Sequence, residues 1–194
     1  MMGQRPARVL APADVCLVLA YVDGGGDCSR NKAMVTLSIY AGLRACELAG
    51  LTWQMALRAA GDVDRQLRIA DAIAKNGGGR TIPMHPELAR VLRRLHKQSG
   101  RPREGPIIVS ARGGPMTAKA IVNWFAATYS AVGLTGCSSH SGRRTFITRS
   151  ARMLAQVGGS LRDVQELAGH RALTTTERYI EGDRDAQRRL IALL

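Results

Sequence analysis

His170 and Tyr179 lie nine positions apart within LAGHRALTTTERYI, residues 167–180. Thr174 and Glu177 have the spacing of a capping box, in which each side chain bonds the backbone amide of the other residue. The sequence therefore predicts a short helix that begins at Thr174 and fixes the direction of Tyr179. A tyrosine held beside a histidine is a candidate nucleophile, because a phenol becomes reactive once a neighbouring group takes its proton. The competing interpretation is a core tyrosine with an ordinary hydrogen bond.

Three places upstream combine cations with surroundings that suit an anion. Arg44 interrupts an otherwise apolar run, and Glu47 follows it on the same face of a predicted short helix. An arginine in such surroundings needs an acidic partner or a bound anion. Lys75 lies at the mouth of a predicted hairpin. His140 and Arg143 lie near the start of a predicted helix, where unpaired backbone amides and the helix dipole favour an anion.

The net charge of the chain indicates which class of partner it binds. Its 194 residues predict one domain with a single core, and 28 Lys and Arg against 15 Asp and Glu give a net charge of +13. Most of the excess is arginine, whose planar fork binds phosphate through two hydrogen bonds. Nucleic acid is the expected partner, and an anionic membrane surface is the competing one. No apolar run approaches the ~18 residues of a membrane span, and the N-terminus has no signal pattern.

The four cysteines predict a reducing compartment. Cys16, Cys28, Cys46 and Cys137 show no C-x-x-C spacing, and three of them lie in apolar surroundings that predict buried thiols. Cys137 lies three residues before His140, but no second pair of ligands accompanies them, so no zinc site is expected. We therefore expect a cytoplasmic, nucleoid-associated protein that needs neither metal nor cofactor.

The periodicity of apolar residues predicts a mostly α-helical α+β fold. A basic tail, residues 1–10, precedes one domain, residues 11–194. Apolar spacing and capping residues predict helices over these approximate ranges: 12–23, 30–40, 86–98, 117–132, 138–158, 160–168 and 185–194. Three short strands are predicted at 67–69, 81–83 and 107–109, the first two as a hairpin around a glycine-rich turn. Helix 86–98 shows four cations outward, as a solvated face or as sequence-independent phosphate contacts: Arg90, Arg93, Arg94 and Lys97.

Taken as a set, these motifs resemble those of the tyrosine recombinases, the phage integrase family, in their catalytic domain. The resemblance runs from about Val9 to Ile191, and four segments occur in the family's order: AGLRACEL, AKNGGGRTIPM, HSGRRTF and LAGHRALTTTERYI. It implies the tyrosine recombinase catalytic fold with a small three-stranded antiparallel sheet. It also implies a set of roles: Tyr179 as nucleophile, Arg44, Arg143 and His170 as stabilisers of the phosphate and its transition state, Lys75 as general acid, His140 as general base or phosphate contact, and Glu47 in support.

The activity implied by the resemblance is site-specific recombination of double-stranded DNA through a covalent 3′-phosphotyrosyl intermediate. A type IB topoisomerase-like or telomere-resolving enzyme, and a non-cutting DNA-binding protein, are the alternatives on the same fold. Because only about ten residues precede the predicted domain, the family's N-terminal core-binding clamp domain is expected to be absent, either as in a shortened piece of a longer recombinase or as in the short single-domain recombinases. DNA binding by one protomer is then expected to be weak and strongly salt-dependent. The apolar residues 190–194 predict a homotetramer on DNA in which this segment docks on a neighbouring subunit, or packs on its own core. DNA-bending accessory proteins are expected as further partners.

Overall fold

Helices form most of the fold. The computed structural model describes residues 7–74, 78–179, 188, 191 and 192. Over these residues the chain forms eight α-helices: α1 (Pro12–Asp23), α2 (Cys28–Tyr40), α3 (Ala45–Gly50), α4 (Pro86–Gln98), α5 (Ala118–Ala131), α6 (Ser141–Val157), α7 (Leu161–Ala168) and α8 (Leu173–Glu177). A 3₁₀ turn, Trp53–Met55, follows α3. None of the described helices is both long and apolar enough to cross a bilayer.

The sheet is smaller than the sequence predicts. Strand β1 (Gln66–Ile69) pairs with β2 (Arg80–Pro83) in an antiparallel hairpin, which confirms the first two predicted strands. The third predicted strand, 107–109, is wrong: the described part of the chain has a two-stranded sheet. This segment makes only isolated bridges, through Pro106 and Pro115, and because proline lacks an N–H a longer ladder cannot continue past either end.

Capping residues set several of the helix boundaries that were predicted. Helix α4 has both predicted bounds, and Thr117 accepts the Ala120 N–H at 3.1 Å to start α5. At the start of α7, Ser160 N–H donates to the Asp163 carboxylate at 2.6 Å, as a capping box requires. Gly169 ends α7 with φ of +63°, a conformation that glycine adopts without steric cost. The sequence therefore fixes the end of α7 immediately before His170.

The capping box predicted at Thr174 is wrong. Helix α8 begins at Leu173 after Ala172, so Thr174 lies inside the helix, and Tyr179 lies in the turn beyond its end. The expectation that three of the cysteines are buried is also wrong, since Cys16 and Cys46 are exposed and Cys28 and Cys137 are half-buried. The predicted final helix, 185–194, lies outside the described residues apart from positions 188, 191 and 192.

Helix α2 is a buried helix that supports the first turn of α6. It packs against α1, α4 and α6, and Met34, Val35 and Leu37 are fully buried in the main core. Burying each such side chain contributes about 1.5–3 kcal/mol to the stability of the fold, so α2 is held firmly in the core. Gly142 of α6 lies so close to α2 that a Cβ there would be 2.2 Å from the Ser38 hydroxyl oxygen. Close contact between these two helices therefore positions the first turn of α6, where Arg143 lies.

Candidate active site

Glu47 is the buried centre of an arginine network. Its side chain is 0% exposed, and its carboxylate accepts hydrogen bonds from the Arg44 backbone amide at 2.9 Å and from Arg44 Nη1 at 2.9 Å. Arg80 adds a bidentate pair, Nη1 at 2.8 Å and Nη2 at 3.0 Å. Burial by itself raises the pKa of Glu47, but the hydrogen bonds and charges of Arg80 and Arg44 hold that pKa below its ordinary value. Glu47 is therefore an ionised anchor that holds two guanidinium groups.

Arg143 is a second buried cation, in the first turn of α6, and only 2% of it is exposed. Its Nη1 donates to the Gly42 carbonyl at 2.7 Å, and its Nη2 donates to the Ala168 carbonyl at 2.6 Å. Burial, followed by the charge of Arg44, lowers the pKa of Arg143 to about 10, so the guanidinium remains protonated at neutral pH. These contacts join the loop after α2 to the end of α7 and bring Arg143 to His170.

His170 is neutral, and two contacts fix which nitrogen has the proton. Burial, with the positive charges of Arg143, Arg44 and Arg80, lowers the pKa of His170 to about 4. Because a guanidinium can only donate, Nε2 accepts from Arg143 Nη2 at 2.9 Å. Nδ1 therefore has the proton and donates to Thr176 Oγ1 at 2.9 Å. His170 can donate from Nε2 to an anion only after Arg143 leaves that nitrogen and a proton reaches it.

Tyr179 stacks beside this pair. Its ring centroid lies 5.5 Å from that of His170 with the planes 23° apart, and Arg144 Cζ lies 5.6 Å from the Tyr179 ring centroid. The backbone is held at both ends, since the Tyr179 N–H donates to the Thr176 carbonyl at 3.0 Å and Thr148 Oγ1 donates to the Tyr179 carbonyl at 3.1 Å. Tyr179 also interacts electrostatically with Arg143.

The other predicted site residues have different placements. His140 is the N-cap of α6 and is exposed, three residues before Arg143. Arg143, and not its neighbour Arg144, is the arginine that is buried against His170. Lys75 lies outside the described residues, so its role as general acid stays a prediction. The structure brings together Arg44, Glu47, Arg143, His170 and Tyr179.

Arg80 and Thr176 belong to this network and were not predicted from the sequence. The Arg80 side chain is 5% exposed, and its Nε donates to the Leu167 carbonyl at 2.9 Å, which ties β2 to the end of α7. Thr176 is fully buried and orients His170. A signal for Arg80 exists in the sequence, since it follows three glycines at the start of a strand that places it beside the expected anion site.

The network has a net positive charge. Arg44, Arg80 and Arg143 supply three positive charges and Glu47 one negative charge, which leaves two positive charges unneutralised at the site. Arg44 is the most accessible of the three, with 18% of its side chain exposed. Over the described residues, no three His, Cys, Asp or Glu side chains are grouped in a way that could hold a metal ion. The geometry suits an anion that approaches Arg44 from solvent.

Comparison with known proteins identifies the family of this chain. The model of the phage integrase family matches residues 8–185. This chain belongs to that family. Tyrosine recombinase XerC of Nitrobacter winogradskyi is 35% identical over 158 residues, which are 78% of this chain and 45% of that protein. Tyrosine recombinase XerC of Xylella fastidiosa is 30% identical over 155 residues, 79% of this chain and 49% of that protein.

Solved structures share the integrase-family fold. The Tn1549 transposon integrase in complex with transposon right end DNA matches with a TM-score of 0.76 at 22% identity, covering 99% of this chain and 67% of that one. A lambda integrase tetramer bound to a Holliday junction matches with a TM-score of 0.66 at 21% identity, covering 91% of this chain and 49% of that one. The fold is thus that of the tyrosine recombinase catalytic domain, and the chain spans about half the length of the XerC relatives it matches.

Proposed function

We propose that this chain is the catalytic part of a site-specific DNA recombinase that cleaves and rejoins double-stranded DNA through a 3′-phosphotyrosyl intermediate on Tyr179. The observation that supports this most directly is the stacking of Tyr179 on His170, which is itself bonded to the buried Arg143. Membership of the phage integrase family and the XerC relatives support the same reaction. A core tyrosine would need no such neighbours.

The proposed reaction conserves the phosphodiester bond energy. Tyr179 Oη attacks the phosphorus, the bond from phosphorus to the 5′ oxygen breaks, and a phosphotyrosine bond forms in its place. The phenol proton passes to a base, for which His140 is the candidate, and the departing 5′ oxygen takes a proton from Lys75. A 5′ hydroxyl of another strand then attacks the phosphotyrosine and restores Tyr179. General acid and base help of this kind is typically worth about 10²–10⁴ in rate.

Preorganised positive charge would supply the remaining stabilisation. The transition state places extra negative charge on the nonbridging phosphate oxygens, which the forks of Arg44 and Arg143 can bind in bidentate fashion. His170 joins them once the phosphate has drawn Arg143 away from Nε2, because the anion then favours a proton on that nitrogen. Glu47 and Arg80 act as positioning residues, since Glu47 bonds Arg44 and Arg80 in turn bonds Glu47.

The proposed partners follow from the proposed reaction. Double-stranded DNA is the substrate. The protein would therefore act in the cytoplasm at the nucleoid, where DNA-bending accessory proteins would assist it. We further propose that four copies assemble on DNA, with the apolar residues 190–194 of each docking on its neighbour. Ile191, within that segment, is 68% exposed, and Met153 and Val157 at the end of α6 are exposed apolar side chains as well.

The decisive experiment traps the covalent intermediate. The protein is incubated with nicked duplexes drawn from the DNA that flanks its own gene, denatured in detergent, and digested for peptide mass spectrometry. We expect a DNA adduct on Tyr179 that is absent from Tyr179→Phe, while the variant retains its affinity for the duplex. An adduct on a different tyrosine would refute the assignment of the nucleophile. Intact binding without any adduct would favour the non-cutting protein, and relaxation of a supercoiled plasmid without a cognate site would favour the topoisomerase-like enzyme.

A further inference from the structure

More than half of the residues that line a second concave surface are cations. This surface, here called the basic groove, has a volume of about 780 Å³ and lies between residues 58–65, the end of α4 and residues 101–103. Six exposed cations line it against one carboxylate, that of Asp62: Arg58, Arg65, Arg93, Lys97, Arg101 and Arg103. Arg58 pairs with Asp62 at 2.9 Å, so five cations remain without an acidic partner on the groove wall.

The basic groove is separate from the candidate active site. Arg65 immediately precedes β1, whose far end, Ile69, pairs with Arg80 of the site. A strand rises about 3.3 Å per residue, so the four steps from Arg65 to Ile69 span roughly 13 Å. The two basic surfaces therefore lie at opposite ends of the hairpin, and a phosphate bound in one does not occupy the other.

The walls of the groove are held in place by hydrogen bonds. Arg103 donates to the carbonyl oxygens of Ala59 and Ala60, at 3.2 and 3.4 Å, and so bridges its two sides. The buried His96 donates from Nε2 to the Pro102 carbonyl at 2.9 Å, and the Arg101 N–H donates to the His96 carbonyl at 2.9 Å. The groove is thus a shaped surface, with its cations fixed on a rigid support before any ligand arrives.

Two features of the groove cost free energy in the folded chain. Arg93 and Lys97 are four residues apart on α4, where like charges repel one another. Arg101 has φ of +56°, in the left-handed region that costs a residue with a side chain roughly 1–2 kcal/mol. A purely solvated face would gain nothing from either feature. Both become useful when they bring positive charge to one polyanion.

We propose that the basic groove binds the phosphate backbone of duplex DNA, at phosphates other than the one held at the candidate active site. Five of its six cations are arginines, whose forks bind phosphate oxygens in pairs. Apart from Ala60 and Val63, its lining has no apolar side chain that an acidic peptide could cover, and protein partners depend on such buried anchors. Contacts to phosphate carry no sequence information, so the groove adds affinity without base specificity.

The test compares two charge-matched pairs on one helix. Arg93→Gln with Lys97→Gln removes two cations from the groove, and Arg90→Gln with Arg94→Gln removes two exposed cations of α4 that do not line it. Each pair is placed in the Tyr179→Phe background, and the affinity for a short mixed-sequence duplex is measured by fluorescence anisotropy at several salt concentrations. Every replaced side chain is exposed, so both variants keep the core intact.

The expected result is a change in salt dependence that is specific to the groove. Each phosphate contact contributes about 0.9 to the slope of log affinity against log salt, so losing two contacts lowers the slope by about 1.8. The affinity difference between the background protein and the groove pair should therefore shrink by about 12-fold between about 50 and about 200 mM salt. The Arg90 and Arg94 pair should leave the slope close to that of the background protein.

Equal slopes for the two pairs would overturn the proposal, because overall charge and not the groove would then determine binding. Loss of poly-L-glutamate binding in the groove pair, without a groove-specific change for DNA, would overturn it in favour of an acidic protein. Adduct formation on Tyr179 in the chain that retains the tyrosine should be unchanged by the groove pair at saturating nicked duplex. Failure of the recombinase proposal would show as no adduct in any variant, whereas failure of the groove proposal would show only in the salt slopes.

Discussion

Replacing Arg80 with methionine tests whether this arginine positions the site through Glu47. The substitution removes two of the four hydrogen bonds to a carboxylate that is 0% exposed, as well as the 2.9 Å bond from Arg80 Nε to the Leu167 carbonyl. Removing one partner of a buried ion pair typically costs about 3–5 kcal/mol, because the other charge stays buried without compensation. We therefore expect Arg80→Met to lose about 3–5 kcal/mol in the free energy of unfolding.

The pH dependence of that loss identifies its cause. In the native network the pKa of Glu47 is lowered, so its contribution to stability is present above the unfolded value and is lost as pH falls. Without Arg80 the effect of burial should dominate and raise the pKa of Glu47 above its unfolded value. Stability is then lost as pH rises through the new pKa, so the deficit of Arg80→Met should shrink on acidification. A second substitution, Glu47→Gln, should recover part of the lost stability by removing the unpaired charge.

Urea denaturation at several pH values measures these stabilities, and the trapping assay measures the chemistry under conditions where each variant is folded. We expect the Arg80→Met, Glu47→Gln double variant to regain part of the lost stability. It should still form the Tyr179 adduct slowly, because the carboxylate that orients Arg44 is absent. Arg162 is a matched control: its pair with Glu166 is exposed on both sides, so Arg162→Met should cost less than about 1 kcal/mol. A deficit of Arg80→Met that is independent of pH and additive with Glu47→Gln would refute the reasoning.

Two further predictions concern the elements next to this network. Because the pKa of His170 is about 4 in the fold against an ordinary value of 6.5, the unfolded chain binds more protons between these values. Stability should therefore fall as pH decreases through that window, by up to about 1.4 kcal/mol per unit of pKa difference, and His170→Asn should flatten that part of the pH series. Gly142→Ala should cost about 1–3 kcal/mol in urea denaturation, because the new Cβ would lie 2.2 Å from Ser38 Oγ. Gly114→Ala, where a Cβ meets nothing within 4 Å, should unfold at the midpoint of the unmodified chain.

Local signals in the sequence predicted the structural features that depend on one short segment of the chain. The bounds of α4 and the end of α7 at Gly169 were predicted because caps, proline and glycine act within a few residues. Arg143 was assigned to the site by its place in the histidine-x-x-arginine motif, and the structure buries it against His170. The role proposed for His140 remains a prediction because it concerns chemistry, and that of Lys75 remains one because Lys75 lies outside the described residues.

One wrong prediction and one missed residue depend on distant contacts. Thr174 and Glu177 have the spacing of a capping box, but α8 begins earlier, with Thr176 turned inward to accept from His170 and fully buried. The tertiary bond to His170 overrides the local cap as the determinant of which threonine faces the core. Arg80 was missed for the same reason, because its partner Glu47 is 33 positions away and no local pattern joins the two.

A buried carboxylate in a site for an anion requires a physical reason, and the arginine network supplies one. Three guanidinium groups in one place repel each other and lose hydration, and this repulsion is one cause of the lowered pKa of Arg143. Glu47 offsets part of that cost while leaving a net charge of two for a phosphate. The two arginines that bond Glu47 differ in exposure, since 5% of the Arg80 side chain is exposed against 18% of the Arg44 side chain. The inner arginine is therefore committed to Glu47, and the outer one is aimed by the same carboxylate and remains accessible to a phosphodiester.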